Sequence, residues 1–192
     1  MEIDNLCLIL FRACSNSVTA MKHILPIITI TTLAAAASAQ TAAAPAGLSY
    51  NRVTVSRQGQ NTNLSASALL GSSNVLATIG SSTAGTSYAL GYVFKGVGAG
   101  IDATVSVGAG SATANSTVGL NLRRSLSEVV AGLEIAVGAS YNSGAGAAAS
   151  TTNFTYELAY NVNKQFQVAY GLTDLDAAGA DSLHTISVRY NF

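Results

Sequence analysis

The stretch Ser182-Leu-His-Thr-Ile-Ser-Val-Arg-Tyr-Asn-Phe192 closes the chain, and its apolar and aromatic residues fall at every second position: Ile186, Val188, Tyr190 and Phe192. Alternate side chains of a β-strand point to opposite faces, so these four share one face and Arg189 lies on the other. The chain ends on an amphipathic strand.

The same period recurs upstream between clusters of Gly, Ser and Asn. Ten segments read as strands, at 48–57, 63–71, 74–81, 86–94, 98–107, 114–123, 129–141, 151–162, 165–173 and 182–192. Merging two short hairpins around 63–94 would leave eight. Most segments approach the 9–11 residues that a tilted strand needs to cross a bilayer, and an even number returns both termini to one side. Every second connection is tight: Gly71–Asn74, Lys95–Val97, Arg124–Glu128 and Asn163–Lys164. The links at 58–62, 142–150 and 174–181 are longer and built from small and polar residues.

The faces separate by chemistry. Tyr88, Leu90, Tyr92 and Phe94 share a face, as do Val118, Leu120 and Leu122, and Leu133, Ile135, Val137 and Tyr141. So do Phe154, Tyr156, Leu158, Tyr160 and Val162, and Phe166, Val168, Tyr170 and Leu172. The opposite faces carry Arg52, Asp102, Arg123, Glu134, Glu157 and Arg189, with several glycines. Placing Val53 and Val55 outward turns Arg52 inward but also Tyr50, and a bulge between them would turn Tyr50 back out. A soluble antiparallel barrel or sandwich would alternate equally well. Its outer face, however, would be about 25–35 % charged. Here the polar faces are poor in Lys and Glu and rich in Gly, Ala, Ser and Thr, which suits the inside of a narrow barrel where opposite walls meet. The expected fold is all-β, a transmembrane antiparallel up-and-down barrel of ten strands, in residues 48–192.

The other end of the chain agrees with export. Met21-Lys-His-Ile-Leu-Pro-Ile-Ile-Thr-Ile is followed by an Ala-rich run ending Ala37-Ser-Ala-Gln40, a basic start, apolar middle and A-x-A site that read as a signal peptide over 21–39 cleaved between Ala39 and Gln40. Residues 1–20, with Glu2 and Asp4, fit neither a signal nor a fold and read as an upstream extension, with Met21 the natural start. Residues 40–47 read as a short linker. Both cysteines, Cys7 and Cys14, precede the cleavage site, so the mature chain has no disulfide or thiolate metal site. It carries seven basic and seven acidic residues, a balance that gives no electrostatic case for nucleic acid.

The final strand resembles the C-terminal insertion signal of bacterial outer-membrane β-barrels, which ends on an aromatic residue with apolar or aromatic residues at alternate positions before it. Ile186, Val188, Tyr190 and Phe192 occupy those positions. With the leader and the alternating strands, the mature chain is similar to the small OmpX-like or opacity-type surface proteins. That resemblance implies a place in the outer membrane, barrel-assembly machinery as the partner during insertion, and outer-membrane lipids and lipopolysaccharide as surroundings. It leaves an extracellular ligand open.

Function divides three ways. The three luminal cations Arg52, Arg123 and Arg189 face the three luminal acids Asp102, Glu134 and Glu157. Leaving one partner of a buried pair alone costs about 3–5 kcal/mol, so these groups are expected to pair. Paired, they plug the lumen of a structural or surface-interaction barrel without turnover. Alternatively they form the charged constriction of a narrow channel for ions or small solutes. A lipid- or peptide-modifying enzyme would need His with Ser or Asp near the rim. The mature chain offers one histidine, His184, beside the acidic loop of Asp174, Asp176 and Asp181 and within no family catalytic motif. No catalytic residue, metal ligand or cofactor is assigned, and the loop only loosely echoes a calcium-binding loop.

Overall fold

The computed structural model describes residues 48–111, 116–144, 150–175 and 181–192. The upstream extension, signal peptide, cleavage site Ala39/Gln40, linker and both cysteines lie outside the described residues, as does Asp176. Ten strands follow in order: β1 (Arg52–Gln58), β2 (Asn61–Leu69), β3 (Val75–Ser82), β4 (Gly85–Gly98), β5 (Ile101–Gly110), β6 (Ser116–Ser125), β7 (Leu133–Asn142), β8 (Thr151–Asn161), β9 (Phe166–Leu175) and β10 (Leu183–Asn191). Each pairs antiparallel with its neighbours in sequence, and β1 closes on β10, with Val53 opposite Tyr190 and Val55 opposite Val188. Closure pairs the backbone groups of every strand edge, which is what the bilayer interior demands.

The register explains why the outer wall is apolar. Directly opposite residues share a face, so the row Ile186, Tyr170, Leu158 and Ile135 across β10, β9, β8 and β7 is a single outward belt. Its members and their neighbours are large and exposed: Tyr88, Leu90, Tyr156 and Leu158 each keep about half of their surface open. A water-soluble protein would bury them, whereas a lipid-facing wall presents them. Strands of 10 residues, at about 3.4 Å per residue and tilted, match an apolar band about 25 Å tall. On β1 to β3 the outward residues are smaller, and Val53, Leu64, Ala66 and Ile79 pack on one another. No described helix is long and apolar enough to cross a membrane, and the crossing is made by strands.

Several local expectations change. The first link is a two-residue reversal at Gly59–Gln60 rather than a long loop, because β2 pairs with β1 down to Asn61 opposite Gln58. Gly59 adopts φ +59°, the left-handed conformation a glycine takes at little cost. The turn expected at Lys95–Val97 moves to Ala99–Gly100. Here β4 continues past a register shift between Phe94 and Gly98, and two successive residues take positive φ. The seventh strand starts at Leu133, not 129. Residues Leu126 to Leu133 instead close a hydrogen-bonded turn in which the Leu126 carbonyl accepts from the Val129 and Val130 amides. Tyr50 needs no bulge: it is buried and faces inward just before β1. The rule that aromatics face lipid fails there because its hydroxyl has a polar partner inside. At the other terminus Phe192 lies one residue beyond β10, its amide donating to the Asn51 carbonyl.

Candidate functional site in the barrel lumen

The inward faces enclose two different halves. The half next to the chain termini is filled by charged and amide side chains that lie close to the terminal ends of their strands. Arg123 Nη2 donates to Glu134 Oε2 at 3.0 Å, and both side chains are buried. This pair is diagonal, since Arg123 stands opposite Ala136 and Glu134 opposite Ser125 on adjacent strands. The second Glu134 oxygen accepts from Asn161 Nδ2 at 2.7 Å, and Asn161 Oδ1 accepts from Gln167 Nε2 at 3.0 Å. Gln167 Oε1 in turn accepts from Arg189 Nη1 at 2.9 Å, and Arg189 forms a two-pronged ion pair with Glu157. One chain of hydrogen bonds therefore runs from β6 to β10. Such a network is favourable in a low-dielectric interior only while its members stay satisfied.

Arg189 reaches Glu157 across an intervening strand. On β9 the inward positions between them are Ala169 and Gly171, which leave room for the guanidinium and carboxylate to meet. Asp102 stands directly opposite Arg123 yet takes other partners: Tyr50 Oη donates to its Oδ2 at 2.7 Å, and the Gly96 amide to its Oδ1 at 2.8 Å. Arg123 also donates to the Ser49 carbonyl at 3.0 Å and stacks over the Tyr50 ring with its guanidinium carbon 5.0 Å from the centroid. The residues preceding β1 are thereby tied into the lumen.

Arg52 stands outside this network. It faces inward, opposite Ser67 and Asn191, and its buried Nη1, like the buried Nε of Arg189, has no hydrogen-bond partner among the described residues. It borders a luminal cavity of about 450 Å³ whose lining includes Arg123, Glu157, Thr104, Asn121 and Thr173. At about 30 Å³ per water, that space holds on the order of fifteen.

Beyond this cavity the distal half of the lumen carries no ionisable side chain among the described inward residues. Its walls are Gly, Ser, Thr and Asn, at tight approach. A Cβ on Gly138 would stand 2.5 Å from Thr155 Oγ1, and one on Gly80 would stand 2.7 Å from Ser87 Oγ. The glycines are there because side chains of the neighbouring strands occupy the space.

Sequence parity identifies the six luminal charges, but the expected bulge turns Tyr50 outward, and Asn161 and Gln167, which connect the charges, go unnamed. Their inward parity was the available signal. His184 lies on the outer wall opposite Leu172, its Nδ1 2.5 Å from Tyr170 Oη. Asp174 bonds Ser182 instead. Among the described residues no group of three or more His, Cys, Asp or Glu side chains is arranged to hold a metal ion.

No protein-family description and no curated protein matches the chain. Among solved structures, the chain is similar to a protein described as KdgM porin, at 15 % identity and TM-score 0.47, over 76 % of this chain and 99 % of that one. The NanC porin gives 12 % identity and TM-score 0.47, over 73 % and 98 %. OccAB2 of Acinetobacter baumannii gives 8 % and 0.30, over 74 % and 60 %. None of the three carries the OmpX-like or opacity-type description that the sequence resemblance implies. The barrel itself, closed by ten antiparallel strands with a lipid-compatible wall, is established by its own register and surface.

Proposed function

We propose that the protein is a narrow channel of the bacterial outer membrane for ions or small solutes, with the luminal charge cluster as its constriction. The observation that supports this reading is the luminal cavity of about 450 Å³ that ends on charged side chains, one of them the incompletely bonded Arg52. A tightly packed plug would leave no such space beside it. Ten strands are fewer than the 16–18 of wide porins, so the pathway is narrow and set by side chains.

A second reading, a structural or surface-interaction barrel with a closed lumen, is favoured by the burial of Arg123, Glu134 and Gln167. Planar-bilayer recording separates the two. The channel reading expects discrete openings of the purified protein and a shift of reversal potential toward cations in Arg52→Gln, which removes a positive charge from the constriction. A folded, inserted protein that never conducts, in the native form and in Arg123→Ala alike, supports the closed barrel and overturns the channel.

A further inference from the structure

The outer wall carries few charges within its strands, and Arg57 is one that inward pairing does not explain. It has the parity of Val53 and Val55, is exposed, and stands opposite Ile186 of the outward belt. Arginine on the lipid face costs about 2–4 kcal/mol at the midplane and about 0–1 near the interface. Arg57 lies two residues from the reversal at Gly59–Gln60, at the rim away from the termini, and its Nε donates to the Gly59 carbonyl at 3.1 Å.

Two further polar groups share this corner of the wall. His184 is the next outward residue beyond Ile186 on β10, so by register it is a diagonal neighbour of Arg57, about 7–8 Å away between backbones. Tyr170 lies opposite Ile186 on the far side and holds His184 Nδ1 at 2.5 Å. In the tautomer whose Nδ1 accepts a hydrogen bond from the tyrosine hydroxyl, Nε2–H is a second donor beside the guanidinium. Among the described residues the nearby carboxylates are Asp174, which accepts from Ser182 Oγ, and exposed Asp181.

Comparison with the opposite rim sharpens the point. Arg124 is also outward-facing, opposite Ile101 and Ile135, and it is paired with Glu128 at 2.8 Å. Among the described residues, no carboxylate lies within 4 Å of the Arg57 guanidinium nitrogens. A guanidinium fork close to the β1–β2 reversal, with a ring N–H beside it, fits phosphate, which arginine binds in two-pronged fashion.

We infer that Arg57, His184 and Tyr170 form a docking site on the outer wall for the phosphate of a phosphorylated lipid in the outer leaflet. The inference rests on the outer-membrane location proposed above and takes the termini to lie on the inner side, as an even strand number allows, and needs no conduction.

Native mass spectrometry of the purified barrel in detergent tests it, with bisphosphorylated lipid A, its dephosphorylated form and inorganic phosphate as separate probes. The wild type is expected to retain the phosphorylated lipid about tenfold better than the dephosphorylated one. Arg57→Gln and His184→Gln should each reduce that preference and together abolish it, while Arg124→Gln leaves it intact. Circular dichroism and heat-modifiable migration verify that each variant is folded. Equal retention of the two lipids by the wild type, or an unchanged preference in the folded double variant, overturns the inference. Uptake of inorganic phosphate at Arg57 without lipid preference overturns it too, assigning an ion site instead. A silent bilayer recording bears on the channel alone.

Discussion

The two halves of the lumen are made by the same ten strands with the same inward parity, yet they solve opposite problems. Near the termini the walls carry long polar side chains that meet in one network, from Arg123 through Glu134, Asn161 and Gln167 to Arg189 and Glu157. In the distal half the walls carry Gly, Ser and Thr, and short side chains of one strand fill the space left by the glycines of the next. In the first half each group is satisfied only through the next. In the second the side chains are short and bond locally, as Thr117 does with Asn142.

The largest effect that would break this contrast is in the network. Arg123→Ala leaves buried Glu134 with only Asn161, at a cost of about 3–5 kcal/mol. The midpoint of heat-induced unfolding, read on gels, should fall markedly. A variant as stable as the native protein would show that the terminal half is hydrated and its ion pairs weak. Next comes Glu157→Gln, which keeps the shape but gives up charge-assisted bonding to Arg189, a loss of about 1.5–3 kcal/mol by urea titration in lipid vesicles.

Overpacking probes the distal half. Gly138→Ala pushes a methyl group toward Thr155 Oγ1 and should cost about 1–3 kcal/mol. Thr155→Ala should restore most of the loss in the double variant. Failure of rescue would place the crowding elsewhere, at Asn121 or the Leu120 carbonyl. The smallest effect is expected at Thr117, whose hydroxyl donates to Asn142 Oδ1 at 2.8 Å near the distal rim. Thr117→Ala should cost about 0.5–1.5 kcal/mol and leave conductance unchanged.

How much of this was legible in the sequence follows from what periodicity encodes. Alternation tells which face a residue occupies, and so the outward belt through Tyr156, Leu158 and Tyr170 and the inward set Arg52, Asp102, Arg123, Glu134, Glu157 and Arg189 were readable. Periodicity carries no information on partners across strands, because those depend on the stagger of the closed barrel. Asp102 and Arg123 are register neighbours that do not pair, whereas Arg189 and Glu157 pair across β9. Tyr50 was misread for a related reason: an aromatic residue signals lipid only when its hydroxyl has no polar partner inside. Loop lengths were also misjudged where β1 and β2 pair to the last residue before Gly59. Polar residues such as Asn61 and Thr62 extend a strand as readily as they form a loop.

Thiol labelling from the aqueous phase tests the division of the lumen most directly, since the chain from Gln40 onward contains no cysteine. Cysteine is placed singly at Thr173, which lines the cavity, and at Ser187, which is buried two residues from Arg189 of the network. A water-soluble maleimide is then added to the protein in vesicles. Rapid labelling at position 173 and slow labelling at 187, accelerated when Arg123→Ala opens the network, is the predicted result. Equal rates at the two positions in the native background would contradict a hydrated vestibule closed by a charged constriction.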